Sequence, residues 1–251
     1  MNLLAFDIGG ANIKAARMEI QSKKAHLSAK IFRDCILIDV GSTTTDIIPI
    51  MNGRIASKGK TDLERLSLGE LIYTGALRTN VAATLDKVSI RGRPTRISSE
   101  LFATSGDAHL ILGNITEDEY TTETADGRGK SRVEALARLS RVVCADIEML
   151  GEDEILFIAK HIWDQQLEQI AEGFRQMLEN LKLNSQTSFP IVVAGIGRKF
   201  LAQKAAEKIG FKNIIDLGGI IGQSAANAAT CAGLAYLMAY RRGVNQVAWQ
   251  R

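Results

Sequence analysis

The hydrophobic pattern changes character along the chain, from short strand-like runs to long helical stripes. Ile36 to Val40 is a short apolar run that carries Asp39 at its carboxyl end. Gly41-Ser42-Thr43 then reverses the chain, and Thr44 to Ile50 reads as a β-branched return strand. Leu3 to Phe6 and Ile13 to Met18 repeat this logic around Asp7-Ile-Gly-Gly-Ala11, with Lys14 near the start of the second strand. Ala25 to Ile31 predicts a further strand within a polar and basic stretch. Asn52-Gly53 marks a turn, and Thr61-Asp-Leu-Glu-Arg-Leu66 a capped helical turn that Leu68 to Ala76 continues as helix or loop. Residues 86–98 read as a basic loop, Phe102 to Gly113 as a mostly apolar segment, and Asn114 to Arg132 as an exposed loop.

Helical periodicity takes over from there. Arg132 to Val143 places Val133, Leu136, Leu139 and Val143 on one face. Glu152 to Leu181 continues with Ile155, Ile158, Ile162, Leu167, Ile170, Phe174 and Leu178, with Trp163 expected in the core. Pro190 to Gly197 predicts a buried strand and a glycine turn that opens a helix through Ile209. Ile214 to Gly219 is a second strand and turn, and Ala225 to Ala239 a single small-residue helix. The whole is an α/β pattern.

Chemistry concentrates on the central hairpin. Its tight reversal turns backbone N–H groups toward one point and lines that point with the hydroxyls of Ser42, Thr43, Thr44 and Thr45, which makes an anion cradle suited to phosphate. Asp39 and Asp46 would repel phosphate, so a hydrated Mg²⁺ is the natural intermediary. The bland reading is a Thr-rich turn tied down by its two acids. Gly9 and Gly10 allow close backbone approach to a ligand. Gly195 and Gly197 suit a phosphate at a helix start or serve packing alone; the third glycine of the dinucleotide fingerprint is missing. Asp62, Arg65, Glu70, Tyr73 and Arg78 form a dense mixture of charge and aromatic, read either as a binding surface or as a solvated helix with local ion pairs. His109 is expected to be a satisfied, partly buried residue.

Composition narrows the classes. At 251 residues and 46% hydrophobic the chain can bury one large domain or two lobes. A net charge of +3 without a basic, aromatic-studded run argues against a nucleic-acid partner. No apolar run reaches the roughly 18 residues of a membrane span, and no signal peptide is expected, so the predicted location is the cytoplasm. Cys35, Cys144 and Cys231 are expected as buried, reduced thiols, and His26, His109 and His161 lack metal-ligand spacing.

Two acid-bearing hairpins, a late glycine turn and a small-residue C-terminal helix resemble, in that order, the actin-like, sugar-kinase and Hsp70 ATPase superfamily. In detail the chain is similar to hydantoinase A/oxoprolinase-like proteins of tetrahydromethanopterin-linked one-carbon transfer. The residues that carry this are Asp7-Ile-Gly-Gly-Ala11, Ile38-Asp-Val-Gly-Ser-Thr-Thr-Thr-Asp-Ile-Ile-Pro49, Thr61 to Leu66, Gly69-Glu-Leu-Ile-Tyr-Thr-Gly-Ala-Leu-Arg-Thr79 and Thr124-Ala-Asp-Gly-Arg128. The resemblance implies an actin-like ATPase (ribonuclease H-like) fold. It also implies a Mg²⁺-dependent transferase in which a tyramine-type phenol displaces diphosphate from a furanmethanamine diphosphate, as in methanofuran assembly. Asp7, Asp39 and Asp46 would then hold Mg²⁺, and Lys14 or Arg78 would add a cation. Gly9, Gly10, Gly41 and Ser42 to Thr45 would bind diphosphate, with Glu70 and Asp107 as base candidates by elimination. An ATP-dependent hydrolase of cyclic amides and a non-catalytic nucleotide-binding module, with ATP as ligand, stay open. A phosphorylated small molecule is the expected partner, and a homo-oligomer is compatible with the chain. Only residues 8–38 separate Asp7 from Asp39, where relatives of this kind carry a longer αβ portion. The expected division is therefore a truncated first lobe (1–34 with 234–251) and a second lobe over 35–233.

Overall fold

The structure, a computed structural model, describes residues 2–8, 13–19, 33–184 and 189–241, with backbone only for the first two stretches and for 239–241. In chain order it forms β1 (Asn2–Ile8), β2 (Ile13–Glu19), β3 (Cys35–Val40), β4 (Thr45–Met51), β5 (Arg54–Ile55), α1 (Asp62–Ser67) and β6 (Leu71–Ile72). Then come α2 (Val81–Thr84), β7 (Lys87–Ile90), β8 (Arg93–Arg96), α3 (Ser105–Ile111), α4 (Arg132–Ser140) and α5 (Glu152–Asn180). The chain continues with β9 (Ile191–Ala194), α6 (Gln203–Lys208), β10 (Ile214–Asp216), α7 (Gly218–Ile221), α8 (Gln223–Asn227) and α9 (Ala229–Arg241).

The central sheet runs β10-β9-β3-β4-β5, with β6 added to β4. β3 pairs antiparallel with β4 and parallel with β9, which in turn runs parallel to β10. Side chains alternate across the pleat, so Ile36, Ile38 and Val40 of β3 and Ile47 of β4, all fully buried, fill the core face. That face shares one cluster with Ile155, Ile158, Ile162, Ile170 and Phe174 of α5. Leu37, Asp39, Asp46 and Ile48 lie half-buried on the opposite face. Both expected strands of the N-terminal hairpin form, with Asp7 opposite Lys14 in register, and α9 runs beside them. The strand expected at Ala25 to Ile31 lies outside the described residues.

Thr61 caps α1 as expected: its hydroxyl accepts from Glu64 N–H, while the Glu64 carboxylate reaches back to Thr61 N–H. Of the two continuations open to Leu68 to Ala76 the chain takes the loop, because Gly69 at φ +72 turns it, and β4 offers an edge that captures Leu71 and Ile72 as a short strand. Several expectations fail for identifiable reasons. The basic loop over 86–98 is the β7–β8 hairpin; Arg91 and Gly92 both take positive φ, the geometry of a tight two-residue reversal. Asn114 to Arg132 is not simply exposed, since Ile115, Tyr120, Thr122 and Thr124 are buried. In α4, Val133 is 66% exposed whereas Arg138 is fully buried; just beyond the helix Val142 is buried and Val143 packs half-buried against the same core. The C-terminal helix is two helices, broken at Ala228 (φ −120, ψ 45). Trp163 is half-buried, its indole N–H donating to the Phe200 carbonyl at 2.7 Å. Cys35 and Cys231 are buried, but Cys144 is exposed in a left-handed conformation. Among the described residues no helix is long and apolar enough to cross a membrane.

Candidate functional site

The β3–β4 register sets Asp39 directly opposite Asp46. Opposed carboxylates repel each other, so such a pair needs positive charge nearby. Arg65, delivered by the capped helix α1, supplies it to Asp46: its Nη2 lies 2.6 Å from Oδ1 and also donates to the Glu70 carbonyl at 3.2 Å. Asp39 is approached from the other side by the turn after β9. Gly195 sits there at φ +84, and a Cβ on it would fall 2.4 Å from Asp39 Oδ1 and 2.2 Å from the Val40 carbonyl oxygen. Gly197 N–H donates to that same carbonyl at 3.0 Å. Gly195 is thus needed where two backbones meet, and a Cβ on Gly197 would fall 2.4 Å from the Val40 Cγ1 methyl.

Between the two acids, Gly41 to Thr44 forms a half-buried tip closed by a Gly41 N–H bond to the Thr44 carbonyl at 2.9 Å. Segment 73–79 clasps it through main chain alone. Ala76 N–H donates to Gly41, and the Leu77 and Arg78 N–H groups both donate to Ser42, each at 2.9 Å. A Cβ on Gly75 would lie 2.6 Å from Thr43 N and C. The tip's carbonyls are therefore spent on the clasp, while among the described residues the amides of Ser42, Thr43 and Thr44 meet no acceptor. Amides left without an acceptor at a half-buried loop tip are donors of the kind that bind anions. Thr45 differs from its neighbours: it is fully buried and its hydroxyl donates to the Thr74 carbonyl at 2.8 Å, holding the turn from beneath.

The remaining expected residues divide clearly. Arg78 and Tyr73 are exposed beside the tip, Tyr73 at 66%, and Asp62 lies on the open side of α1. Glu70 is buried with its carboxylate accepting the Lys58 and Gly59 amides at 2.6 and 3.0 Å, which ties a loop down and leaves it badly placed as a base. Asp107 is fully buried and takes two bonds from Arg138, at 2.9 and 2.8 Å, a third from Thr104 N–H and a fourth from the Tyr120 hydroxyl. Burial pushes its carboxyl up and the Arg138 guanidinium pulls it back. Gly9 and Gly10 lie outside the described residues, as do the side chains of Asp7 and Lys14. The two acids Asp39 and Asp46 match what Mg²⁺ asks of a protein, one or two carboxylates with phosphate and water completing the shell. No group of three or more metal-binding side chains occurs among the described residues.

Two constellations escaped the sequence. Arg198 is 5% exposed and grips the glycine turn, donating to the Gly195 carbonyl and to Asp216 at 2.9 Å each and bonding Asn227 and Gln223. Behind the clasp, fully buried Gln166 of α5 donates to the Gly75 carbonyl at 2.9 Å and Thr74 Oγ1 at 3.1 Å. Its only sequence signal is a polar residue on the apolar face between Ile162 and Ile170. His109, expected partly buried, is wholly so and sits 2.9 Å from Gln166 Oε1.

Burial lowers the His109 pKa from 6.5 to about 4, against the pull of Gln166. An unfolded chain takes up this proton first, so stability should fall as pH drops from 6.5 toward 4, and this contribution ends there. Across that window the loss is about 3 kcal/mol. Urea unfolding at pH 7 and pH 4 should show wild type losing about that much more than His109→Phe; equal losses would remove the assignment.

A family model described as hydantoinase/oxoprolinase matches residues 20–237. The chain is 39% identical over 215 residues to a (4-{4-[2-(gamma-L-glutamylamino)ethyl]phenoxymethyl}furan-2-yl)methanamine synthase of Methanocaldococcus jannaschii, an alignment that covers 85% of this chain and 62% of that one. It is 39% identical over 181 residues to the synthase of the same name from Methanococcus vannielii, covering 72% of this chain and 79% of the relative. In fold it is similar to a nucleotide-free structure of acetone carboxylase, with a TM-score of 0.51 and 15% identity over 80% of this chain and 29% of the other. With the family match running from the polar stretch before β3 into α9, the chain belongs to the hydantoinase/oxoprolinase family.

Proposed function

We propose that this chain is a transferase that forms an aryl ether, with diphosphate as the leaving group bound at the β3–β4 tip. The single observation that carries this reading is the run of unspent amides at Ser42 to Thr44, set between Asp39 and Asp46. The product named for the two relatives contains a phenoxymethyl-furan linkage. Such a bond forms when a phenol oxygen attacks a furan-bearing CH₂ and the carbon–oxygen bond to a leaving group breaks. Diphosphate is a good leaving group whose departing charge the amides are placed to receive. Preorganised donors of this type are worth about 10²–10³ in rate apiece. Asp39 and Asp46, with Asp7 by resemblance, would hold Mg²⁺, which neutralises charge on the diphosphate when bound. Arg78 beside the tip, and Lys14 by resemblance, add positive charge. Glu70 and Asp107 being committed to main chain and to Arg138, the phenol proton passes to a diphosphate oxygen.

The same proposal takes the fold as actin-like, with residues 1–34 and 234–251 as a shortened first lobe. Hairpin, late glycine turn and C-terminal helix follow in the order that reading needs. ATP is the competing ligand for the same cradle, as the hydrolase reading of the family requires. Calorimetric titration with diphosphate, ATP and a furanmethyl diphosphate, each with and without Mg²⁺, tests the proposal. Mg²⁺-dependent binding of furanmethyl diphosphate in preference to ATP, and ether formation on adding tyramine, is the expected result. Preferred ATP binding with hydrolysis stimulated by a cyclic amide would transfer the chain to the hydrolases.

A further inference from the structure

The buried polar groups beneath the clasp serve no core purpose that apolar residues would not serve better, since a buried polar group needs a full set of partners. Here the set is complete and points in one direction. The Gly75 carbonyl accepts from Thr79 Oγ1 at 3.2 Å, Ser105 Oγ at 2.9 Å and Gln166 Nε2 at 2.9 Å. Gly75 N–H donates to Thr79 Oγ1 at 2.9 Å, so both sides of this residue are fixed. The Gln166 amide nitrogen is used twice as donor, which leaves its Oε1 as the acceptor toward His109. His109 must then carry its proton on Nε2, and its Nδ1 accepts from Asn114 Nδ2 at 3.1 Å. The ring is packed 4.6 Å from the Phe200 ring, which holds its plane.

We infer that Gln166 is a positioning residue for the anion-facing tip, aimed by His109 and acting through the Gly75 main chain. This rests on the reading of Ser42 to Thr44 as the diphosphate cradle. The Gly75 backbone lies against Ser42 and Thr43 with no room for a Cβ. The next three amides, of Ala76, Leu77 and Arg78, hold the Gly41 and Ser42 carbonyls. Orienting the Gly75 carbonyl therefore sets which way the tip's amides point. A glutamine whose amide could flip would present its oxygen to the Gly75 carbonyl and push the clasp away. A neutral, tautomerically fixed histidine prevents that flip.

Native-state hydrogen exchange on Gln166→Leu, Gln166→Glu and His109→Phe tests the inference, with diphosphate titration in Mg²⁺ as the second readout. His109→Phe keeps a ring against Phe200 and leaves Gln166 in place but unaimed. Exchange at Ala76, Leu77 and Arg78 should accelerate roughly tenfold to a hundredfold, the change expected when a buried acceptor loses a partner, while β9 amides keep their wild-type rates. Diphosphate should bind more weakly in the same variants. Wild-type exchange at 76–78, or uniform acceleration that includes β9, in Gln166→Glu and His109→Phe would overturn it and leave a merely structural glutamine. If diphosphate fails to bind wild type, the cradle reading falls, while the exchange pattern still decides whether Gln166 orients the tip.

Discussion

Arg138→Met should remove about 3–5 kcal/mol of folding stability, the penalty for stripping the partner from a buried charge. The guanidinium is fully buried and donates to Asp107, to the Gly129 carbonyl at 3.0 Å and to Asp126 at 3.3 Å. Without it the Asp107 carboxylate keeps only Thr104 N–H and the Tyr120 hydroxyl in an interior that cannot solvate it. The segment from Asn114 to Ser131 loses its inner anchor, although Arg141 still holds Asp126 at 3.1 Å. The midpoint of urea unfolding measures the loss. Adding Asp107→Asn to Arg138→Met should return much of it, because no uncompensated charge then remains. A single variant within about 1 kcal/mol of wild type would mean that water or a rearranged loop replaces the arginine.

Gly75→Ala should lower ether-forming kcat/KM by about 10²-fold, the effect of a displacement near 1 Å at a reacting centre. The new methyl would meet Thr43 N and C at 2.6 Å and Ser42 C at 2.7 Å, all main-chain atoms that no rotamer change can clear. The tip must move, and with it the amides proposed to receive the departing charge. Diphosphate affinity in Mg²⁺ should fall alongside, with thermal stability lowered by the usual overpacking penalty of about 1–3 kcal/mol. Gly151→Ala is the control, since nothing lies within 4 Å of its added carbon. Wild-type turnover in Gly75→Ala would detach the tip from the chemistry altogether.

The parts of the fold that the chain announces in advance are those written in side-chain period. The apolar run, tight reversal and β-branched return of Cys35 to Ile50 mark the β3–β4 hairpin, and the 3.6-residue stripe of Glu152 to Asn180 marks α5 and its buried face. The capping pair Thr61 and Glu64 locates α1 within a residue. What stayed hidden is carried by groups that leave no periodic trace. The clasp over Gly41 and Ser42 is made by main-chain atoms, which every residue owns. Arg138 on an amphipathic helix reads as a solvent-facing charge until Asp107 of α3 is known to lie against it. The β7–β8 reversal is masked because arginine, not asparagine or aspartate, takes the first positive φ. Glu70 and Asp107 drew notice as acids, but whether a carboxylate faces a cleft or a buried amide depends on contacts between distant segments.

The one-on, one-off order of β3 and β4 has an evolutionary corollary. Ile38 and Ile47 form part of the interior while their immediate neighbours Asp39 and Asp46 lie half-buried on the opposite face of the sheet. Sliding either strand by a single position would drive its acid inward and bring its isoleucine out. Indels in this hairpin can therefore survive only in even steps or with a compensating bulge, so a sequence survey of descendants should find length varying freely after Met51 and only in those ways between Cys35 and Ile50.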